Sequence, residues 1–476
     1  MLLISHIAYG KDVSAVSKDL YRERLRPQFH FTAKTGWKGD PIGLVYYKGE
    51  YHLCYIFIPR GSRGDEHNLY WGKQMWGHAV SPDLVHWTEL DPAILPKDDE
   101  FLNSGSALVD WNNTAGLQTG DEKTIIAIYS LAGPAADGSK VTQCTQCLSF
   151  SNDHGRTWTK YEGNPVLPNV DGMNRDPKVF WYKPDQKWVM IFYIEKGDTY
   201  TLYESADLKH WMHMSDYHFP GHGECPDLFP LQVDGDPNIV KWVLVAGNGD
   251  YMIGMFDGKK FTPDSGPYIG DYGANYYATQ TYSDTPDGRR IQFAWMRKGE
   301  FPDMPFNQQM NFPTELKLKT LPVGVRLCRT PVKEIENVHA KSHKFRNALL
   351  IPGDNLLSGI HGGLFDVRTV IEVGEASEFG FVVNGQTISY SVKDKTLTCL
   401  RKSAKLAPVD GQIKLQILVD RTSIEIYGND GEVVMTSFYL PTDDKVGISS
   451  YSVGAITRVK SLQVYELKSA WGTGSQ

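Results

Sequence analysis

Three acidic residues stand next to prolines in short, similar settings: Gly39-Asp40-Pro41, Arg175-Asp176-Pro177 and Glu224-Cys225-Pro226-Asp227. Asp-Pro commonly opens a turn, so each triplet taken alone reads most simply as turn chemistry. Brought into one pocket, the three carboxylates would do more. Breaking a glycosidic bond needs one carboxylate to attack the anomeric carbon or activate water. A second, kept protonated by its neighbours' charge, donates to the leaving oxygen. Whether the chain can bring residues 40, 176 and 224 together is a question about its fold.

Long helical periodicity is almost absent, while short apolar runs recur, among them GLVYYKGEYHLCYIF, TIIAIYSLAG, KWVMIFYI, KWVLVAG and RIQFAWM. These read as strands. A second pattern lies over them: a strand ends in Ser-x-Asp and a Trp follows a few residues later, at 81–87, 151–158 and 205–211, with a looser echo at 256–261. That spacing suits one four-stranded blade per repeat, and Trp37 to Thr320 leaves room for five. The expectation is an all-β chain whose first part, residues 22–330, is a five-bladed β-propeller. A sandwich with coincidental turns is the competing fold, since Ser, Asp and Gly favour turns everywhere. In a propeller the innermost strands converge on the axis, and the three acids fall at the openings of the first, third and fourth blades.

After about Pro331 the repeat disappears. Thr422 to Tyr427 alternates cleanly and Asn429-Asp430-Gly431 supplies a hairpin turn, so residues 345–470 are expected to form a β-sandwich. Residues 331–344 would be a linker carrying the only short helix.

Composition narrows the partners. No apolar run approaches the roughly 18 residues of a membrane helix. A net charge of −7 gives no basic footprint for nucleic acid. Aromatic content of 12% suits sugar-stacking surfaces, and equally any large β protein. Six cysteines in 476 residues are too sparse for a disulfide framework. Cys144 and Cys147 form a lone C-x-x-C without a second pair at zinc spacing. No cofactor or metal is expected, there being no phosphate-cradling Gly loop and no His cluster. His78 and His222 flank the motifs and read best as structural. The N-terminal stretch MLLISHIAYG is apolar without a preceding basic region, a poor intact signal peptide, yet export of the protein is expected. Oligomeric state is left open.

Segments in order along nearly the whole chain resemble the β-fructosidases of glycoside hydrolase family 32, which contains invertases, inulinases and levanases. They are RPQFHFTAKTGWKGDPIGLVYYKGEYHL, MWGHAVSPDLVHW, SGSA, CLSFSNDHGRTW, NRDPKVFW, ECPDLF, YYATQTY and, less closely, NFPTEL. The resemblance implies a propeller followed by a sandwich, retaining hydrolysis of sucrose, fructo-oligosaccharides or fructans, Asp40 as nucleophile and Glu224 as acid/base. It gives Asp176 the role of binding fructose hydroxyls, with Arg175 beside it. Trp37, Trp71, Ser104 and Trp295 match positions lining the fructose pocket, and Gly39 and Asn103 stand where other pocket residues are usual. The chain departs from the family at Gly39 and Ile42 for Asn, Ile56 and Ile58 for Gln and Asn, Asn103 for Phe, Gly223 for Trp, and Asn275 for Asp. These changes bear on substrate identity more than on reaction class, and Gly223 should widen the space beside Glu224. Fructosyl transfer would use the same intermediate, and a carbohydrate-binding propeller without turnover would keep the same pocket. Arabinofuranoside hydrolysis is a further possibility on this fold.

Overall fold

The computed structural model describes residues 20–59, 74–97, 100–134, 142–442 and 446–472. It is a five-bladed β-propeller followed by a β-sandwich. Counting from the axis outward, blade one comprises Gly36–Tyr47, Glu50–Ile58, Met75–Ser81 and Thr88–Ile94. Blade two comprises Phe101–Asp110, Thr124–Pro134, Thr142–Ser151 and Thr159–Lys160. Blade three comprises Asn174–Tyr182, Lys187–Ile194, Thr199–Ser205 and Met212–His218. Blade four comprises Asp227–Val233, Asp236–Val245, Tyr251–Phe256 and Phe261–Tyr268. Blade five comprises Tyr277–Thr281, Arg290–Trp295, Thr314–Leu321 and Gly324–Pro331.

Packing explains why the inner runs are apolar throughout and do not alternate. In Lys187–Ile194 the residues Trp188, Met190, Phe192 and Ile194 face blade two, packing with Leu108, Ile126 and Leu148. Their neighbours Val189, Ile191 and Tyr193 face blade four and meet Leu228, Leu244 and Met252. A strand covered on both faces needs apolar residues at every position.

The Ser-x-Asp…Trp repeat is the turn joining the third strand of a blade to the fourth. Asp83 Oδ1 accepts from the N–H groups of Val85 and His86 at 3.1 and 2.8 Å, and Asp207 Oδ1 accepts from Lys209 and His210, both at 2.9 Å. Asp153 does the same for Thr157 at 2.9 Å. Each Trp then donates its indole N–H back to a turn carbonyl, Trp87 to Leu84 at 3.1 Å, Trp158 to Gly155 at 3.0 Å and Trp211 to Leu208 at 3.1 Å. Those carbonyls belong to residues with φ of 66°, 74° and 64°. The echo at 256–261 is the same device, with Asp257 capping Lys259 and Lys260 next to Gly258 at φ 91°.

Between blades one and two, Gly155 brings its turn against a buried histidine pair. His52 Nδ1 and His78 Nε2 stand 3.1 Å apart in stacked rings. The outer nitrogens, His52 Nε2 and His78 Nδ1, have no hydrogen-bond partner among the described residues. Burial holds His52 near pH 4 and pushes His78 well below the ordinary imidazole range. Both are therefore neutral when folded and take up protons when unfolded below pH 6.5. Stability is full above that value and falls as the pH drops from 6.5 toward 4, by about 3 kcal/mol for His52 alone. Denaturant unfolding across this window should show the decline in the wild type and a shallower one in His52→Gln. Equal slopes would rule the pair out as its cause.

The sandwich stacks a six-stranded sheet, in the order His339–Leu350, Thr457–Leu467, Phe365–Glu372, Gln412–Val419, Ser423–Gly428 and Val433–Phe438, on a five-stranded one. Asn429, Asp430 and Gly431 turn the last hairpin with φ of 48°, 56° and 87°. The segment expected as a linker holds a 3-10 turn at Lys333–Val338 and, from His339, the first sandwich strand. A second 3-10 turn lies at Lys183–Asp185, so the short helix is not the only one. Phe29, Phe31 and Phe312 of the propeller share a core with Leu418, Tyr427 and Val434 of the sandwich. His30 crosses that interface, with Nδ1 2.8 Å from Asp420 and Nε2 2.6 Å from Glu425. All six cysteines are free and buried.

Candidate active site

Every inner strand contributes near its leading end: Asp40 from blade one, Ser104 from blade two, Asp176 from blade three, Glu224 and Cys225 just ahead of blade four, and Tyr277 from blade five. The Ser104 hydroxyl donates to Asp40 Oδ2 at 2.6 Å. Cys225 Sγ lies 3.9 Å from that same oxygen and 3.6 Å from Asp176 Oδ2, which also accepts the Cys225 N–H at 3.1 Å. Glu224 is clamped from two sides. Arg175 gives Oε1 two hydrogen bonds, at 3.1 Å from Nε and 3.0 Å from its terminal nitrogen, and the Tyr277 hydroxyl donates to Oε2. The structure thus brings Asp40, Asp176, Glu224, Ser104 and Arg175 together.

The backbone is bent to achieve this. Asp176, Cys225 and Ala278 hold φ of 64°, 52° and 52°, a region that costs a non-glycine residue on the order of 1–3 kcal/mol. Local hydrogen bonds hold the bends: Ser130 Oγ accepts the Asp176 N–H at 3.1 Å, and Gly247 donates to the Glu224 carbonyl at 2.9 Å. Gly247 cannot be larger, because a Cβ there would sit 2.7 Å from that carbonyl oxygen.

Crowded carboxylates resist ionising together. Burial, and then the charge of Glu224, push Asp176 up to about 7 against the opposing pull of Arg175. Burial pushes Asp40 up to about 6, with Glu224 adding to the rise while Ser104, Arg297 and Lys38 oppose it. Were Asp40 the nucleophile that the resemblance implies, it would have to be ionised, and kcat/KM should fall as the pH drops below about 6. A rate profile flat down to pH 4 would contradict this.

One wall of the site is apolar. Trp37 and Trp295 meet edge to face at 5.5 Å, in a cluster with Ile42, Ile56, Ile58 and Trp76. Gly39 contributes space and no side-chain contact, since a Cβ there would lie 2.8 Å from the Trp37 ring. Trp295 is seated by Gln308, which accepts its indole N–H at 2.9 Å. The Asn103 carbonyl accepts from Trp76 at 2.9 Å, and its amide points toward Cys144 Sγ at 3.8 Å. Trp71 lies outside the described residues. At Gly223 a Cβ would meet nothing closer than the Tyr193 hydroxyl at 3.5 Å, so the space beside Glu224 is open without steric need for glycine. Asn275 is committed to the sandwich contact, donating to the Arg297 carbonyl and accepting from the Phe438 N–H. His222 stacks on Phe219 and pairs with Asp250 at 3.2 Å. Cys144 and Cys147 contact different partners, Met173 and Thr145. Among the described residues no group of three or more His, Cys, Asp or Glu could hold a metal ion.

Tyr277 and Cys225 stand inside the motifs YYATQTY and ECPDLF without a local signal of a role, and no motif marks Arg297, whose guanidinium lies 4.5 Å over the Tyr277 ring. The usable signal was position, since Tyr277 heads the fifth inner strand as Asp176 nearly heads the third. Tyr277→Phe removes one of the bonds that hold Glu224. It should lower kcat about 10- to 100-fold, the worth of a hydrogen bond to a charged group, with an unchanged melting temperature. Wild-type turnover in this variant would remove Tyr277 from the catalytic set.

Carboxylates gathered at the leading ends of a propeller's inner strands are the groups that glycoside hydrolysis by two carboxylates requires. Comparison with known proteins sharpens that class. The chain belongs to the glycosyl hydrolases of family 32: the family's N-terminal domain matches residues 30–331 and its C-terminal domain residues 331–466. It is 40% identical to the levanase of Bacillus subtilis (strain 168), over 99% of this chain and 74% of that protein. It spans 55% of the levanase of Bacillus sp. (strain L7), at 34% identity. The crystal structure of exo-inulinase from Aspergillus awamori matches with a TM-score of 0.84 at 28% identity, over 95% of this chain and 100% of that one. The fructofuranosidase of Schwanniomyces occidentalis complexed with fructose gives the same four figures.

Proposed function

We propose that this chain is a retaining β-fructofuranosidase that releases fructose from fructans and, as shorter substrates, fructo-oligosaccharides and sucrose. The observation that carries this reading is the position of Cys225. Its thiol lies within 4 Å of the Asp40 and Asp176 carboxylates and Glu224 is the residue before it, so three acids surround one small volume. Asp40, aimed by Ser104, attacks the anomeric carbon of the terminal fructosyl unit. Glu224, fixed by Arg175 and Tyr277, gives its proton to the departing oxygen and then takes one from the incoming water, which frees fructose with retained configuration. Asp176 accepts hydrogen bonds from fructose hydroxyls, its Oδ2 already fixed by Cys225. The 40% identity with the B. subtilis levanase, over 99% of this chain, supports levan as the first substrate to assay.

Names of relatives that include an extracellular exo-inulinase support secretion. Among the described residues no helix is long and apolar enough to cross a membrane. The test is to incubate the purified protein with levan, inulin, fructo-oligosaccharides and sucrose and to resolve the products. Free fructose is expected throughout. Oligosaccharides longer than the substrate as main products would make it a transferase, and no product from any of the four would sink the reading.

A further inference from the structure

Val433–Phe438 is the last strand of the six-stranded sandwich sheet, so one of its edges has no sandwich strand beside it. An open edge presents a row of backbone N–H and C=O groups in need of partners. The propeller supplies them from residues 271–275, just ahead of the inner strand of blade five. Tyr272 donates its N–H to the Val434 carbonyl at 2.8 Å, and Asn275 donates its own to the Thr436 carbonyl at 3.1 Å. In the other direction the Thr436 N–H donates to Asp271 Oδ1 at 3.0 Å and the Phe438 N–H to Asn275 Oδ1 at 2.9 Å. Two side-chain oxygens thus stand where a neighbouring strand would put carbonyls. Gly273 lies between them, and a Cβ there would run into the Thr436 backbone.

Asn275 does more than close the edge. Its amide nitrogen donates to the Arg297 carbonyl at 2.7 Å, so one buried side chain ties the sandwich to the segments that carry Tyr277 and Arg297. Tyr277 follows two residues later, and its hydroxyl donates to Glu224 Oε2. Arg297 lays its guanidinium 4.5 Å over the Tyr277 ring. Phe438 adds a second hold on the Arg297 side. Its ring packs on Phe301 at 5.1 Å and so near Gly299 that a Cβ there would lie 2.9 Å away. Tyr277 is therefore placed, from before and from above, by groups that are themselves fastened to one sandwich strand.

We propose that Asn275 is a positioning residue for Tyr277, and that through it the edge of the sandwich sets the aim of the acid/base. This rests on Glu224 being the acid/base of a β-fructosidase. Both polar atoms of the Asn275 side chain are spent on backbone groups, so it acts on Glu224 through Tyr277 and not by touching sugar. A hydrogen bond weakens steeply once it is bent or stretched. A small shift at the head of the blade-five strand is then enough to loosen Glu224.

The test measures kcat and KM, with levan and with sucrose, and thermal melts in the wild type, Asn275→Ala, Tyr277→Phe and the double variant. Asn275→Ala should lower kcat roughly 10-fold, the scale of a slightly misplaced catalytic group, and no further than Tyr277→Phe does. KM should stay within about 2-fold, because the lost interaction is one of the transition state. In the Tyr277→Phe background the same substitution should cost less than about 2-fold, as for residues that act as a unit. Equal fold losses in the two backgrounds overturn the proposal. So does a change confined to KM, or an undiminished kcat with a lowered melting temperature, which is what an asparagine serving only the fold would give. If Asn275→Ala does not fold, Asn275→Asp makes the same comparison, since it keeps the oxygen that Phe438 uses and loses the donor to Arg297. Misfolding of both would assign Asn275 to the fold and overturn the proposal too. A wild type without fructosidase activity overturns this proposal together with the functional reading, whereas an active wild type with equal losses overturns the role of Asn275 only.

Discussion

Asp40→Asn is expected to lower kcat by roughly 10⁴-fold or more, the scale on which enzymes lose a nucleophile, in a protein that melts no lower than the wild type. The two halves of that result have one cause. Asp40 stands in a pocket where burial and the charge of Glu224 already raise it to about 6, so its ionised form is held at a cost to the fold. The amide is isosteric, can still accept the Ser104 hydroxyl that now meets Oδ2 at 2.6 Å, and removes one of three crowded negative charges. It cannot form the fructosyl bond. Initial rates on levan and a thermal melt check both halves. A variant that keeps a tenth of wild-type turnover would remove Asp40 as nucleophile. A variant that loses activity and also melts well below the wild type would show that the carboxylate serves the fold.

How much of this was readable in advance depended on the reach of the interactions involved. The blade repeat could be seen because the partners of each turn lie within eight residues, from Ser81 to Trp87, Ser151 to Trp158 and Ser205 to Trp211. The Pro-flanked acids could be seen because their local settings match. What could not be read is carried across blades. Tyr277 reaches Glu224 over 53 residues, and the thiol of Cys225 reaches Asp40 over 185. Along the sequence, the departures at 39, 42, 56 and 58 are four separate exchanges of an amide residue for glycine or isoleucine. In three dimensions Ile42, Ile56 and Ile58 form one apolar cluster with Trp37, whose ring lies over Gly39. Restoring a single polar residue, as in Ile56→Gln, would bury an amide among apolar neighbours, and the four positions are best exchanged together.

The contact with the longest sequence separation at a buried charge is also the one with the largest expected effect on stability. His30 sits between Asp420 and Glu425, with side chains fully buried on both sides. These two carboxylates hold its imidazole up at about 9, against the desolvation that would lower it. A raised histidine stabilises the fold fully below its unfolded value of 6.5, and the contribution fades as the pH climbs through 9; its size is about 3 kcal/mol. Replacing it costs more than that, because Asp420 and Glu425 are then left buried without their cation, so His30→Gln should lose about 3–5 kcal/mol. The effect should reach the active site. Glu425 also accepts the Phe312 N–H at 2.7 Å, and Thr422 bonds Gln309 at 2.8 Å. Both partners lie in the segment whose Gln308 seats Trp295 and whose Phe306 pairs with Gly36 at the start of the strand that carries Asp40. Urea unfolding at pH 6 and at pH 9.5 tests the point: the wild type should lose most of the His30 contribution between them, while His30→Gln starts lower and changes little. Parallel declines in the two proteins would place the alkaline sensitivity elsewhere.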